Sequence, residues 1–406
     1  MTRPGLQGGT RGALLRWPWP LQVLLVFAAA RAVSTALLLA AASRQGANPW
    51  APSSPDYLSF LEFWDSGWYR RIYDEGYPEV LPRAEDGTVL QNQWAFYPLF
   101  PGLVRALHLL TGVGWNVLAP AVATVCGFAA ALVLYRLFLL AAAPREALWG
   151  VAFVAVLPVS PILQIPYAES LHLLMLALAL HLVATGRYLG AVPVVLLMGF
   201  ARPAGVPFAV LVFALFVRKA LGAWRERSGP PRDGASDSAL QRLAVLTLAA
   251  AAAALAWPAT AWAVTGQYDA YLQTETAWRG SHLAPFLPWL QAGMNLLGPV
   301  GGPVAVLAAA AGCVLLLRLE PVRSLGRVPV WWCASYLLYL AAFWNPQTST
   351  YRILLPLFPL ALAAVFVVRS TPARCAILGV SVLLQAVWIA LLWMWNPSGG
   401  SSDFPP

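Results

Sequence analysis

Apolar runs of about 20 residues recur along nearly the whole of this chain, and each can cross a hydrocarbon core of roughly 30 Å as a helix. In lipid every backbone N–H and C=O must be satisfied internally, so a chain built of such runs folds as a bundle of membrane-spanning helices. Composition agrees: of 406 residues, 59% are hydrophobic and 11% are charged. The two or three soluble domains that this length would otherwise suggest are excluded, as are a secreted enzyme, a nucleic-acid module and a disulfide scaffold. The formal charge of +9 is then a record of topology, because membrane proteins leave Arg and Lys on their cytoplasmic loops.

The pattern predicts an all-α, polytopic protein. A cytoplasmic tail over 1–20 carries Arg3, Arg11 and Arg16, and a first span follows at about 21–42, too long for a signal-peptide core. Further spans fall at about 115–140, 147–160, 169–185, 188–200, 205–222, 243–265, 295–317, 328–343, 353–368 and 375–395. That makes about eleven spans in one domain over 21–395, with an extracytoplasmic tail at 396–406. The first loop, 43–112, holds Asp56, Glu62, Asp65, Asp74, Glu75, Glu79, Glu85 and Asp86 against Arg44, Arg70, Arg71 and Arg83, which places it outside. Its segment 96–111 is apolar but broken by Pro98, Pro101, Arg105 and His108, and reads as a juxtamembrane helix.

The remaining charges agree with this layout. Seventeen of the 26 basic residues fall on the inner side, eight fall outside, and Arg31 lies within the first span. The inner segment 223–242, containing RERSGPPRDGASDS, reads as a flexible cytoplasmic linker. Lys219 is the one lysine, which hints at a GC-rich bacterial genome and hence a plasma-membrane location. Cys126, Cys313, Cys333 and Cys375 lie singly in apolar stretches and read as packing residues. Trp64, Trp68, Trp94, Trp115, Trp278, Trp344, Trp393 and Trp395 concentrate where spans meet the outer headgroups, as an aromatic belt does.

Candidate chemistry gathers at that outer face. In FLEFWDSGWYRRIYDEGYP, residues 60–78, Phe60, Trp64, Trp68 and Ile72 recur at helical spacing, while Glu62, Asp65 and Tyr69 share another side and can point together into a site. Asp65-Ser66-Gly67 reads equally as a solvated turn. In PYAESLHLL, Glu169 suits the positive end of a helix as a cap, or stands as a second acid. Arg202 in GFARPAGV and Arg352 in NPQTSTYRILLPLFP fall at outer span ends, and a cation at a helix amino terminus calls for an anion unless it snorkels to the headgroups. Tyr351 and Ser349 could add hydroxyl contacts from the same loop. The loop 267–288 adds Asp269, Glu275, Trp278, Arg279 and His282. His108, His172, His181 and His282 form no metal-binding pattern, so no cofactor and no protein-only metal site is expected.

These elements together resemble the PIG-V-like mannosyltransferases of the GPI mannosyltransferase II type, within the GT-C class of polytopic glycosyltransferases. The resemblance runs in order through FWDSGWYRRIYDEGYP, NQWAFYPLFPGL, PYAESLHLLM, ARPAGV, LQTETAWRG and STYRILLPLFPLALA, the first being the most specific. It implies a GT-C-like fold with an extracytoplasmic first-loop helix, and transfer of mannose from a polyprenyl phosphate mannose donor to an extracytoplasmic hydroxyl of a lipid, glycan or protein. The essential acid of that class maps onto Asp65, with Glu169 beside it. Arg352, Arg202, Tyr351 and Ser349 would face the donor phosphate; Glu62, Trp64, Trp68, Tyr69, Trp278 and Arg279 would face substrate. The bacterial setting departs from the family, since GPI anchors are not expected there.

Two other classes of function are also compatible with the sequence: a polar-lipid transporter or flippase, and a non-catalytic relative that binds a lipid-linked sugar. Transporters place ionisable residues midway through their spans, whereas here they gather at one face. The expected partners are a lipid-linked sugar donor, membrane lipids and the acceptor, with a small membrane subunit as a further candidate and no nucleic acid.

Overall fold

A computed structural model describes residues 17–226, 235–278 and 283–395. Among these the chain is helical, and an isolated bridge between Arg83 and Val89 is the nearest approach to a strand. Helix α1 (Trp19–Ala42) leads into the long first loop, which holds α2 (Tyr57–Phe60), α3 (Ser66–Glu75) and α4 (Leu99–Thr111). The bundle continues through α5 (Trp115–Phe138), α6 (Pro144–Ala155), α7 (Glu169–Ala184), α8 (Tyr188–Met198) and α9 (Gly205–Glu226). Its second half comprises α10 (Ala235–Thr265), α11 (Ala270–Ala277), α12 (Leu287–Arg318), α13 (Glu320–Arg323), α14 (Arg327–Phe343), α15 (Thr350–Ile353), α16 (Pro359–Val367) and α17 (Thr371–Trp388).

Each expected span coincides with a helix, but the helices are not equivalent. Six are long and apolar enough to cross a membrane, and a seventh is gained if Thr350–Leu357 and Pro359–Val367, bent by 75°, form one broken span. The others, α6, α7, α8 and α14, have 12, 16, 11 and 17 residues. At 1.5 Å per residue they reach only about 16 to 26 Å. Hydropathy alone does not distinguish these shorter helices from the longer ones. Helix α4, with 13 residues, is likewise short. Within α12, Gly298 adopts φ +78°, a left-handed conformation open to glycine, and the helix breaks there. The full-length part therefore starts after residue 298, and the segment before it folds back so that a Cβ on Gly293 would lie 3.1 Å from the Gly302 carbonyl oxygen.

One end of the bundle is basic. Arg136 lies over the Trp19 ring, Lys219 over Tyr188, Arg218 over Trp331, and Arg145 donates to the Thr371 hydroxyl, so the termini of several helices meet there. Helix α7 runs beside α5, and His181 in its last turn lies near Arg136 in the last turn of α5. With 16 residues against 24, α7 therefore stops about 12 Å short of the level where α5 begins. The glycines flanking the turn from α8 to α9 let that turn press on α10: a Cβ on Gly199 would sit 2.6 Å from the Ala253 carbonyl oxygen. Arg202 is carried on this turn.

The core also holds a charge without an acid. Arg31 in α1 is buried and donates to the Ala155 carbonyl at 2.6 Å and the Ser160 hydroxyl at 3.1 Å. It thereby caps the carboxyl end of α6, where the backbone presents partial negative charge. Cys126 and Cys333 are buried as expected of packing residues, whereas Cys375 is exposed near the start of α17.

Candidate active site

Four charged side chains from four distant segments meet where the short helices end. Arg352, on α15, donates from Nη2 to Asp65 Oδ2 at 2.8 Å and from Nη1 to Glu169 Oε1 at 3.1 Å. Glu169, the first residue of α7, is also ion-paired with Arg202. The result is an alternating series, Asp65–Arg352–Glu169–Arg202, two negative and two positive. Asp65, Glu169 and Arg352 are buried at 8%, 4% and 7% exposure, and isolated charges at such depth would be strongly unfavourable, so the pairing is what permits the cluster. The Arg352 guanidinium also lies 5.1 Å from the centroid of the Tyr167 ring.

The local backbone explains how Asp65 arrives there. Helix α3 begins at Ser66, and Trp64 has φ +60°, an unfavourable conformation for a residue with a bulky side chain. Trp64 is held by its indole N–H, which donates to the Trp393 carbonyl at 2.8 Å, and the Asp65 N–H donates to the Tyr167 hydroxyl at 2.9 Å. This break interrupts the continuous helical spacing expected for residues 60–72. It sends Glu62 away from Asp65, to an ion pair with Arg70 at 2.7 Å. Burial raises the Glu62 carboxyl above the usual carboxylate range, against the pull of Arg70. Asp65 is not a solvated turn residue either, being buried in the cluster.

Two hollows flank Asp65. The inner chamber, a cavity of about 170 Å³, is lined by Asp65, Tyr69, Glu169, His172, Arg202, Trp278, Tyr336, Gln347, Ser349 and Arg352, among others. The Tyr69 phenol is pushed up by burial above its ordinary value, with Arg202 opposing, so it stays protonated and able to donate. The outer groove is lined by Trp50, Trp64, Trp68, Trp278 and Trp395 with Asp65, Arg71, Gln91 and Gln347. Its rings pack closely, Trp50 on Trp64 at 5.0 Å, Trp64 on Trp395 at 5.7 Å and Trp68 on Trp278 at 5.3 Å between centroids. Asp65, Trp278 and Gln347 belong to both linings and form the partition.

Most of the side chains singled out from sequence thus converge, but not in the arrangement expected. Arg352 is not a bare cation at a helix start awaiting an anion. Its helix has four residues, and both terminal nitrogens are engaged by carboxylates. Tyr351 is 61% exposed and lines neither hollow, since successive residues on a helix lie on different faces and Arg352 takes the buried one. Glu62 also lines neither, whereas Ser349 lines the chamber, Trp64 and Trp68 line the groove, and Arg279 lies outside the described residues. Trp94, Trp115 and Trp393, expected in an interfacial belt, are buried, with the Trp94 indole donating to the Pro78 carbonyl and that of Trp393 to the Phe60 carbonyl. His172, which shows no metal-binding pattern in the sequence, also lines the chamber, three residues after Glu169 on the same helix face. Among the described residues no three His, Cys, Asp or Glu side chains are grouped to hold a metal ion.

Comparison with solved structures finds the chain similar to the Archaeoglobus fulgidus oligosaccharyltransferase tethered through a disulfide bond to an acceptor peptide containing the NVT sequon. The two share 13% identity with a TM-score of 0.44, over 93% of this chain and 56% of that one, so this chain spans little more than half the length of the archaeal enzyme. No known protein family matches the sequence, and no curated protein matches it.

Proposed function

We propose that the protein is a GT-C-type glycosyltransferase of an integral membrane kind, moving mannose from a polyprenyl phosphate mannose donor to a hydroxyl acceptor on the extracytoplasmic face. The observation that carries this reading is the state of Asp65. One oxygen, Oδ2, is held by Arg352, while Oδ1 takes no hydrogen bond among the described residues and the side chain keeps 12% exposure between the two hollows. A carboxylate so fixed can accept the proton of a hydroxyl that attacks from one hollow a carbon held in the other.

The step balances without a further reactant. The acceptor oxygen bonds to the anomeric carbon, the bond from that carbon to the phosphate oxygen breaks, its electron pair leaves with the polyprenyl phosphate, and the proton goes to Asp65 Oδ1. Arg202, less committed than Arg352, is placed to meet the departing phosphate, and Arg352 orients Asp65 and Glu169 while adding positive charge. The neutral sum of the four charges means that a phosphate binds by sharing arginines with carboxylates. The recess left by the short helices suits a donor whose lipid tail lies in the bilayer.

In this reading the basic end of the bundle is cytoplasmic. A cysteine placed at Ser53 should react with an impermeant thiol reagent from outside in a Cys375→Ser background, and one at Arg187 should not; the reverse pattern would put the chamber on the cytoplasmic side. The activity itself is tested with purified protein in liposomes, labelled polyprenyl phosphate mannose and a membrane extract as acceptor. Label passing to an acceptor supports the transferase, and donor bound without transfer or hydrolysis leaves a binding protein.

A further inference from the structure

His172 has no structural explanation within its own fold. It lies in α7 with 4% exposure and lines the inner chamber, yet its imidazole makes no hydrogen bond to any described residue, and its Nδ1 is shut off from solvent. Its chain neighbours Leu171 and Leu173 are buried leucines, so an apolar side chain would fit the helix without leaving a polar atom unpaired. Three further residues that line the chamber each carry a buried side-chain atom unpartnered among the described residues: Glu169 Oε2, Arg352 Nε and Trp278 Nε1. Two of these donate, one accepts, and the imidazole can do either.

That mixture selects the chemistry of the occupant. A lipid tail would satisfy none of the four. A phosphate accepts only, so it could meet Arg352 Nε and Trp278 Nε1 but not the carboxylate oxygen of Glu169. A ring bearing several hydroxyls offers a donor and an acceptor at every position and can satisfy all of them.

We propose that His172 is a specificity-determining residue of the inner chamber, binding one hydroxyl of the sugar that is transferred. This rests on the transferase reading above for the word transferred, but the recognition itself is a binding property. Hydroxyl readers of this sort discriminate strongly, because the analogue lacking the hydroxyl leaves a buried polar group unpaired. His172 acts on which sugar is held, and Asp65 on whether it reacts.

The test reads binding apart from turnover. Full-length protein in nanodiscs is melted with and without mannose 1-phosphate as the probe, for wild type, His172→Leu and His172→Gln. Without probe, His172→Leu should melt above wild type, since an unpaired polar group is removed from an apolar helix. With probe, wild type should be stabilised and His172→Gln in part, while His172→Leu should bind at least about ten-fold more weakly, a loss of about 1.4 kcal/mol. A second reading uses wild type with the 2-, 3-, 4- and 6-deoxy analogues. One of them should bind about ten-fold more weakly than the parent and should be indifferent to His172→Gln. Equal probe affinity in wild type and His172→Leu, four deoxy analogues that all bind like the parent, or no stabilisation of wild type at millimolar probe would each overturn the proposal. Histidine-dependent binding in a protein that transfers no sugar would instead remove the transferase reading and leave His172 as a sugar-binding residue. Transfer that is unchanged by His172→Leu would do the reverse.

Discussion

The inner chamber and the outer groove touch the same carboxylate from two sides and are built from opposite materials. The chamber is buried and charged, with polar atoms left unpaired at the ends of helices too short to span. The groove is a wall of indole rings, packed on one another in tilted and edge-to-face pairs and open to the surroundings. Fixed charge in a dry place can discriminate between a ground state and a state of developing charge, whereas aromatic surface supplies contact area with little directional demand. On this account the chamber governs rate and sugar identity, and the groove governs how well a second substrate is held.

Changes to the charged chamber residues should then fall on turnover, those at His172 on the affinity for the sugar, and those on the groove side on the affinity for the second substrate. The largest effect is expected from Arg352→Ala, which leaves Asp65 and Glu169 buried with their shared cation gone. Stability should fall by about 3–5 kcal/mol, and transfer should be lost in whatever protein still folds. Arg352→Lys should be impaired as well, because one compact ammonium cannot bridge two carboxylates as a planar guanidinium does. Melting curves and transfer assays on both variants measure this, and a fully active lysine variant would dissolve the bridging role.

Glu169→Gln is expected to follow, with transfer down by about 10–100-fold, since an amide still offers an oxygen to Arg352 but no charge to Arg202. On the groove side, Trp395→Ala should raise the acceptor KM several-fold with kcat nearly unchanged; a fall in kcat at constant KM would erase the division of labour between the hollows. Glu62→Gln should alter transfer by less than about two-fold, as the side chain lines neither hollow. Because its carboxyl is raised by burial, its contribution to stability is full below the ordinary value and fades as pH rises through the raised one. The Gln variant should therefore show a flatter dependence of melting temperature on pH across that interval. The smallest expected effect is that of EDTA, which should leave transfer intact if arginines neutralise the leaving phosphate; loss restored by magnesium or manganese would assign that task to a metal.

Much of this could be read from the sequence, and the reasons for the rest are physical. Apolar runs place every large helix, because lipid leaves the backbone no alternative. They do not separate the 24-residue α5 from the 11-residue α8, since both are apolar throughout and only caps and turns fix where a helix stops. Asp65, Glu169, Arg202 and Arg352 stand out singly as charges at span ends, but their mutual pairing depends on four turns whose geometry no local pattern encodes. The left-handed Trp64 is invisible in a sequence, where that conformation is normally announced by glycine. His172 is legible in part, since a polar residue three positions after Glu169 shares its helix face, but the burial that makes it notable is set by packing that no local pattern shows.

The central claim is that Asp65 takes the acceptor proton while Arg352 holds it in place, and Asp65→Asn addresses it most directly. The asparagine keeps an oxygen for the Arg352 Nη2 hydrogen bond, so the fold should survive with a loss of about 1–3 kcal/mol. Single-turnover transfer from labelled polyprenyl phosphate mannose should then fall by about 10²–10⁴-fold, with donor binding retained, because an amide cannot accept the proton. Near-normal transfer by the folded Asn variant would contradict the account and remove Asp65 from the chemistry.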